Sequence, residues 1–439
     1  MTLSKNPYKG TRDFLPQDKR YQDYLFEKMH KAAKSFGYEH YDGPLLEEVE
    51  LYKAKSGEEL INDQIYSFVD RGERFVAIRP EMTPTLARMI AKVHREVSKP
   101  IRWYSIPNLY RYERPQRGRL REHWQFNCDI FGAPEGKGEL EIVQLAIFFL
   151  ESLGASEEHF EVLFNDRRII DQIFKKISKD EATVYRLYKI VDKSKKVARE
   201  GLEKEVSELS LLDGGKLSFF KYLDIKSSDE LLDFLNEIKL EKESEQFSKF
   251  LENIKLLNLN NYLKFDPTIV RGLDYYTGIV FEIFDKHPDN RRAVSGGGAY
   301  ANLLEIFNEK PLPGVGFGLG DVTLLDFLKS HDLLPDLTKP NHELLISYQI
   351  EEGHDILCPL ALDLRKKNVS TVMTFSPIKF NKLFKEAEKK GIKYVTIFGD
   401  EEKNKNIIIL KNIESKEQKE FNLNQPEEII SFLKYKQYQ

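Results

Sequence analysis

Two short stretches of this chain gather side chains suited to anions and small polar ligands. TIVRGLDYYTGIVFEIF, residues 268–284, sets Arg271, Asp274, Tyr275 and Tyr276 between two strand-like apolar runs. A purely structural strand pair rarely needs a fixed cation beside two hydroxylated rings. LYRYERPQRGRLREHWQFNCDIFG, residues 109–132, is denser still. Between Arg102 and Arg121 there are six arginines: Arg102, Arg111, Arg114, Arg117, Arg119 and Arg121. Pro115 and Gly118 turn the chain between two apparent strands. Guanidinium groups hold phosphate oxygens in a bidentate fork, so an arginine-tipped hairpin is well made for a polyphosphate. A single arginine there would be an ordinary solvated turn; the density argues for a ligand.

Two further segments could complete such a site. RPEMTPTLARM begins at Arg79. Arg79-Pro80 ends a strand, and a helix opens at Thr83 with Pro84 at its first position. Glu81 stands at that junction, where its carboxylate either faces a ligand's ammonium or simply favours the helix N-terminus. In AVSGGGAYANLLEIF, Gly296, Gly297 and Gly298 fall between a short strand and a helix. Glycines there would let backbone amides approach a ligand, or would give only a flexible turn.

The elements that must position these residues divide the chain into parts. With 439 residues it is long enough for two or three domains with real cores. RYQDYLFEKMHKAAKSFGYEHYDGP carries apolar residues at helical spacing and stops at Gly37 and Gly43-Pro44. RFVAIRP, IRWYSIPNLYRYE and QFNCDIFG read as strands. Residues 167–264 are Lys-, Glu- and Leu-rich and glycine-poor, with helical periodicity in RRIIDQIFKKI and SSDELLDFLNEI, as an inserted helical domain would be. Strand-and-glycine sequence resumes over 265–330. After a linker bounded by Pro335 and Pro340, HELLISYQ, VSTVMTF, KYVTIFG and NIIIL alternate with helix-like stretches, as in a small α/β domain over 341–439.

Composition excludes several classes. At 41% hydrophobic and 31% charged, the chain suits a soluble globular protein, and a net charge of −4 gives no global basic signal for nucleic acid. Cys128 and Cys358 are the two cysteines; neither belongs to a CxxC or Cys/His cluster, so no metal ligands are expected and a reducing compartment fits. MTLSKNPYKG lacks the apolar core of a signal peptide, and no run of about 18 apolar residues occurs. The expectation is a cytoplasmic protein with no membrane partner.

Together these segments resemble the histidyl-tRNA synthetases, a family of class II aminoacyl-tRNA synthetases, over nearly the whole chain. YKGTRDFLP resembles their opening signature, GYEHYDGPLLEEVELY their motif 1 with Pro44 at its proline, and YRYERPQRGRLREHWQFNCDIFG their motif 2. RGLDYYTG and SGGGAYANLL resemble two histidine-specific motifs, and SPIKFNKLFKEAEKKGIKYVTIFGDEE the anticodon-binding domain. The resemblance implies an α+β fold: an antiparallel-sheet catalytic domain over 1–166 and 265–330, a helical insertion over 167–264, and a C-terminal α/β anticodon-binding domain over 341–439.

It also implies a reaction and roles. Histidine and ATP give histidyl-adenylate, and the histidyl group passes to tRNA(His); one or more Mg2+ bridge the outer phosphates. Arg111 and Glu113 would bind the α-phosphate and adenine regions, and Arg119 the ATP. Arg271 would reach the carboxylate and α-phosphate. Asp129, Gln125, Tyr275 and Tyr276 would hold the imidazole, with Asp129 standing where the family commonly has glutamate, and Glu81 and Thr83 would meet the α-amino group. Ordinary strand packing competes as a role for the two tyrosines. A homodimer is implied, with motif 1 at its interface. Lys379, Lys382, Lys385 and Lys389 share one helix face, which would meet tRNA phosphates or be only a solvated face.

One motif departs from the pattern. GVGFGLGDVTLLDFL, residues 314–328, resembles motif 3, yet the expected Glu-Arg pair is Val322-Thr323. The missing arginine normally contacts the outer phosphates; Arg117, at the hairpin tip, is the expected substitute. A synthetase-like regulator that partners a phosphoribosyltransferase lacks the C-terminal domain that this chain has. A histidine-sensing module without catalysis is the remaining alternative, and Arg111, Glu113, Arg119 and Arg271 argue against it.

Overall fold

The computed structural model describes residues 3–54, 63–270, 276–290, 292–340 and 342–437. The chain forms two compact units, Met1–Asp13 with Gln22–Leu334, and Phe14–Tyr21 with Pro335–Gln439.

In the first unit twelve strands are described: β1 (Glu39–His40), β2 (Leu46–Glu48), β3 (Tyr66–Val69), β4 (Phe75–Ile78), β5 (Ile101–Ser105), β6 (Asn108–Tyr110), β7 (Glu122–Phe131), β8 (Phe160–Asp166), β9 (Leu263–Phe265), β10 (Ile279–Asp285), β11 (Ala293–Tyr300) and β12 (Gly314–Gly320). The main sheet runs β1-β5-β7-β12-β11-β10-β8-β9, with β6 on β7. Only its ends, β1–β5 and β8–β9, pair parallel; the centre is antiparallel. A second small sheet has the order β2-β4-β3.

Alternation along β7 explains why that centre has two unlike faces. Phe126, Cys128 and Ile130 point into the main apolar core, while His123, Gln125, Asn127 and Asp129 lie on the opposite face. Four helices belong to this first part of the chain: α1 (Pro16–Ser35), α2 (Val49–Lys53), α3 (Thr83–Val93) and α4 (Lys137–Glu151). In α4, KGELEIVQLAIFFLE buries ten residues, and this near-continuous apolar surface covers the core side of the sheet. The expected helix at Thr83 is present, capped by Met82, so Pro84 is its second residue rather than its first.

Six helices follow β8: α5 (Arg167–Ile177), α6 (Glu181–Lys193), α7 (Arg199–Ser207), α8 (Gly215–Leu223), α9 (Ser228–Glu237) and α10 (Glu241–Leu256). Side-chain caps start three of them, Asp166 for α5, Asp180 for α6 and Ser227 for α9. Their buried residues, among them Ile173, Phe219 and Phe247, join the same core as Phe164 of the sheet. After β12 the chain enters α11 (Asp321–Ser330) directly.

The glycine triplet is where the sequence reading needs correction. Gly296, Gly297 and Gly298 do not form a turn between strand and helix; they lie inside β11, paired with β10 on one side and β12 on the other. Their amides belong to the ladder and are not free for a ligand. Glycine is required for another reason. A Cβ on Gly297 would lie 2.4 Å from the Gly316 carbonyl oxygen, and one on Gly298 2.8 Å from that of Ile279.

The second unit contains β13 (Leu344–Ile346), β14 (Thr371–Met373), β15 (Tyr394–Ile397), β16 (Ile407–Asn412) and β17 (Gln418–Asn422), in the order β14-β13-β15-β16-β17. Its helices are α12 (Gly353–Lys366), α13 (Phe380–Lys389), α14 (Asp400–Lys405) and α15 (Pro426–Gln437). The buried β13 strand, Leu344, Leu345 and Ile346, supplies apolar residues to both faces of the sheet. Leu383 and Ala387 of α13 bury against one face, which leaves Lys382, Lys385 and Lys389 exposed on the other side of that helix. Among the described residues no helix is long and apolar enough to cross a membrane.

Candidate active site on a glycine-floored sheet face

The polar face of the sheet is shallow because two neighbouring strands, β11 and β12, lack side chains there. Gly298 on β11 pairs with Gly316 on β12, and Gly316 pairs with Asp129 on β7; Gly318 pairs with Asn127. A Cβ on Gly316 would overlap the Asp129 carboxylate at 2.1 Å, and one on Gly318 would meet the Gln125 amide at 2.8 Å. On Gly298 it would strike the Tyr276 ring at 2.8 Å. Asp129, Gln125 and Tyr276 therefore lie over a glycine floor on one face of the sheet.

Asp129 is buried, at 6% exposure. The Tyr300 hydroxyl donates to its Oδ1. Burial pushes its pKa up to about 7, and the Tyr300 hydrogen bond only partly opposes this. Tyr276 and Tyr300 belong to the apolar cluster that includes Tyr41, Trp103 and Met82. That cluster brings the start of α3, and with it Glu81 and Thr83, to the same side of the sheet. Glu81 is buried and Thr83 partly so.

The arginine-rich segment is a hairpin between β6 and β7. Its tip closes through paired backbone hydrogen bonds of 2.9 Å between Gln116 and Arg119, with Gly118 at φ +70. Arg111 donates from Nε to the Pro80 carbonyl at 2.9 Å, which sets it beside Glu81. Arg119 forms an ion pair with the buried carboxylate of Glu113. Arg114 and Arg117 are exposed. The six arginines do not all serve the tip. Arg102 lies on β5 and is tied to Glu141 at 2.7 and 2.8 Å. Arg121 stacks on Tyr112 at 4.0 Å and donates to the Tyr8 hydroxyl at 2.8 Å.

The N-terminal segment clasps this hairpin. The Gly10 carbonyl accepts from the amides of Arg121 at 2.8 Å and Glu122 at 3.2 Å. Arg12 pairs with Asp321 at 2.7 Å, and the other oxygen of Asp321 accepts from the Trp124 amide at 2.9 Å. Residues 10–12, the hairpin base and the start of α11 are thus one hydrogen-bonded unit. His123, in the middle of it, is half-buried. Desolvation, then the charges of Arg111, Arg12 and Arg119, push its pKa down to about 3, so it stays neutral.

Arg271, Asp274 and Tyr275 lie outside the described residues. Gln125, Asp129 and Tyr276 are gathered over the floor; Glu81, Thr83 and Arg111 border it; Glu113, Arg119 and Arg117 belong to the hairpin. Tyr300, His123, Arg12 and Arg292 were not expected. For Tyr300 the signal was present: it is two residues beyond Gly298, on the same strand face, once the triplet is read as strand. His123 is likewise two residues before Gln125. Arg12 lies in YKGTRDFLP, which marked the segment but gave the residue no role; Arg292 carries no local signal, since it meets the site through residues distant in sequence. Among the described residues no group of three His, Cys, Asp or Glu is placed to hold a metal ion.

Comparison with known proteins gives this geometry its context. The family model for histidyl-tRNA synthetase matches residues 10–323, and that for an anticodon-binding domain matches 344–434. The chain is 42% identical over 434 residues to a histidine–tRNA ligase of Leptospira biflexa, covering 96% of each. It is 34% identical over 419 residues to the chloroplastic/mitochondrial histidine–tRNA ligase of Arabidopsis thaliana, covering 95% of this chain and 85% of the relative. Among solved structures, the histidyl-tRNA synthetase of Nostoc sp. PCC 7120 shares the fold with a TM-score of 0.79 at 23% identity, covering 98% and 99% of the two chains. A Bacillus halodurans structure described as an ATP phosphoribosyltransferase regulatory subunit/histidyl-tRNA synthetase shares it at a TM-score of 0.75 and 21% identity, covering 91% of this chain and 99% of the other. The chain belongs to the histidyl-tRNA synthetase family.

Proposed function

We propose that this chain activates L-histidine with ATP and transfers the histidyl group to tRNA(His). The observation that carries the reading is the juxtaposition of a buried carboxylate over the glycine floor with an arginine-tipped hairpin. In the first step a carboxylate oxygen of histidine attacks the α-phosphorus and pyrophosphate leaves. In the second, a ribose hydroxyl at the tRNA 3′ end attacks the carbonyl and AMP leaves. The attacking carboxylate is already ionised at neutral pH, so the first step needs alignment and charge neutralisation rather than a strong base.

In this reading Asp129 accepts a hydrogen bond from the imidazole N–H, and Gln125, Tyr276 and Tyr275 complete the ring's surroundings. Glu81 and Thr83 receive the α-ammonium. Arg111 and Arg271 neutralise the α-phosphate, Glu113 faces the adenine region, and Arg119 and Arg117 hold ATP. Mg2+ carried with the nucleotide would supply charge neutralisation at its outer phosphates. Residues 341–439 bind the anticodon, which the family-model match over 344–434 supports. The compartment is the cytoplasm. Two copies associate through the motif 1 region; in support, Leu45, Leu46, Phe68, Val69 and Phe75, all near the small β2-β4-β3 sheet, are exposed.

The deciding experiment is ATP–pyrophosphate exchange with histidine, run against the other amino acids. Exchange is expected with histidine alone. No exchange from folded protein would point to the histidine-sensing reading instead.

A further inference from the structure

Beside the hairpin lies a cavity whose lining includes Arg117, Gly118, Arg292 and Thr323. Arg292 immediately precedes β11, and Thr323 is in the first turn of α11. The Thr323 hydroxyl donates toward the carbonyls of Gly320 at 3.1 Å and Val294 at 3.3 Å, fastening the helix start to the strand next to Arg292. A Cβ built on Gly118 would lie 3.4 Å from Arg292 Cδ and 3.6 Å from Thr323 Cγ2. Positions 292 and 323 therefore reach the same spot under the hairpin tip, one from the strand and one from the helix.

Among the described residues Arg292 has no ion-pair partner there, although Asp326 Oδ2 would lie 3.9 Å from the same Cβ position on Gly118. Burial and then the neighbouring Arg119 charge both push the Arg292 pKa down, and Glu113 opposes them only in part. Asp285, Asp289 and Asp326 share the cavity. Asp285 is committed to Asn290, the His287 amide and His331. Among the described residues, neither Asp289 nor Asp326 comes within ion-pair distance of Arg292. Two arginines thus stand close together, and only Arg119 has a carboxylate partner. A cation held this way favours an anion entering the cavity. Arg117 is the weaker candidate, because its guanidinium meets the Ser330 hydroxyl at 3.4 Å, at the far end of α11.

We propose that Arg292 binds the outer phosphates of ATP together with Arg119, supplying from the start of β11 the cation that position 323 lacks. The inference rests on the ATP-binding reading above. Its test pairs two measurements on Arg292→Ala and Arg117→Ala. In histidine-dependent exchange, Arg292→Ala should raise the KM for ATP tenfold or more while leaving the KM for histidine within twofold. By calorimetry with inorganic tripolyphosphate, Arg292→Ala should weaken binding tenfold or more, with adenosine affinity unchanged. Arg292→Lys should fall between wild type and the alanine variant. Tripolyphosphate affinity within twofold of wild type in folded Arg292→Ala would overturn the proposal, as would an equal rise in both KM values. A larger loss for Arg117→Ala than for Arg292→Ala would assign the role to Arg117 and overturn it too. The direct binding arm separates the two claims: absent exchange in the wild type, with tripolyphosphate binding still dependent on Arg292, would refute the ligase reading alone.

Discussion

Asp129 combines burial, a tyrosine hydroxyl and a glycine neighbour to sit near the midpoint of its titration at neutral pH. As an imidazole acceptor it must be ionised, so the KM for histidine should rise as pH falls below about 7. Asp129→Asn should raise the KM for histidine tenfold or more, remove that pH dependence and leave the KM for ATP nearly unchanged; steady-state exchange at pH 6 to 8 checks it. The same shift has a stability consequence of defined sign. The folded-state pKa lies above the unfolded value, so the contribution of Asp129 is fully present below about pH 4 and is lost as pH rises through about 7. Burying this carboxylate therefore costs stability at the pH where it works. A second residue-scale prediction concerns Arg271. If its cation acts mainly in the transition state, Arg271→Ala should leave histidine affinity largely intact and remove most adenylate formation. A loss of only a fewfold in exchange, with normal calorimetric binding of histidine, would sink that role.

At the scale of elements, the floor of β11 and β12 is the feature on which the site depends most. Gly316→Ala places a methyl at 2.1 Å from the Asp129 carboxylate, so either Asp129 or the strand must move. Overpacking of this kind costs about 1–3 kcal/mol, and histidine binding should be lost before folding is; urea melts beside histidine titrations test the pair. This floor also marks where sequence reasoning succeeded and failed. Strands β5, β6 and β7 and helix α3 were legible because period-2 and period-3.6 patterns are local. The glycine triplet was misread because glycine has no side chain to carry a period, and only the cross-strand carbonyls of Gly316 and Ile279 explain it. Gln125 and Asp129 were legible through motif resemblance. Their shared face with Tyr276 became visible only with the register of three strands. Arg292, and the pairing of Arg12 with Asp321, were not legible, since those contacts are made by topology and not by spacing.

At the scale of the whole molecule, chemistry and tRNA selection are assigned to separate parts of the chain. Removing 341–439 should spare histidine-dependent exchange far more than tRNA charging; equal loss of both in a folded truncation would refute the division. The exposed apolar residues of the small sheet make a further prediction. The wild type should sediment as a dimer and Phe68→Glu as a monomer, and a monomeric wild type would rule out this interface. The clasp formed by residues 10–12 bears on synthesis as well. Its hydrogen bonds to the hairpin can form once Glu122 has left the ribosome, but the Arg12–Asp321 pair spans 309 residues. At roughly 5–20 residues per second of elongation, Arg12 waits on the order of 15–60 s for its carboxylate. Until then α11 is missing, and the hairpin lacks the contacts that Thr323 and Ser330 make with its tip.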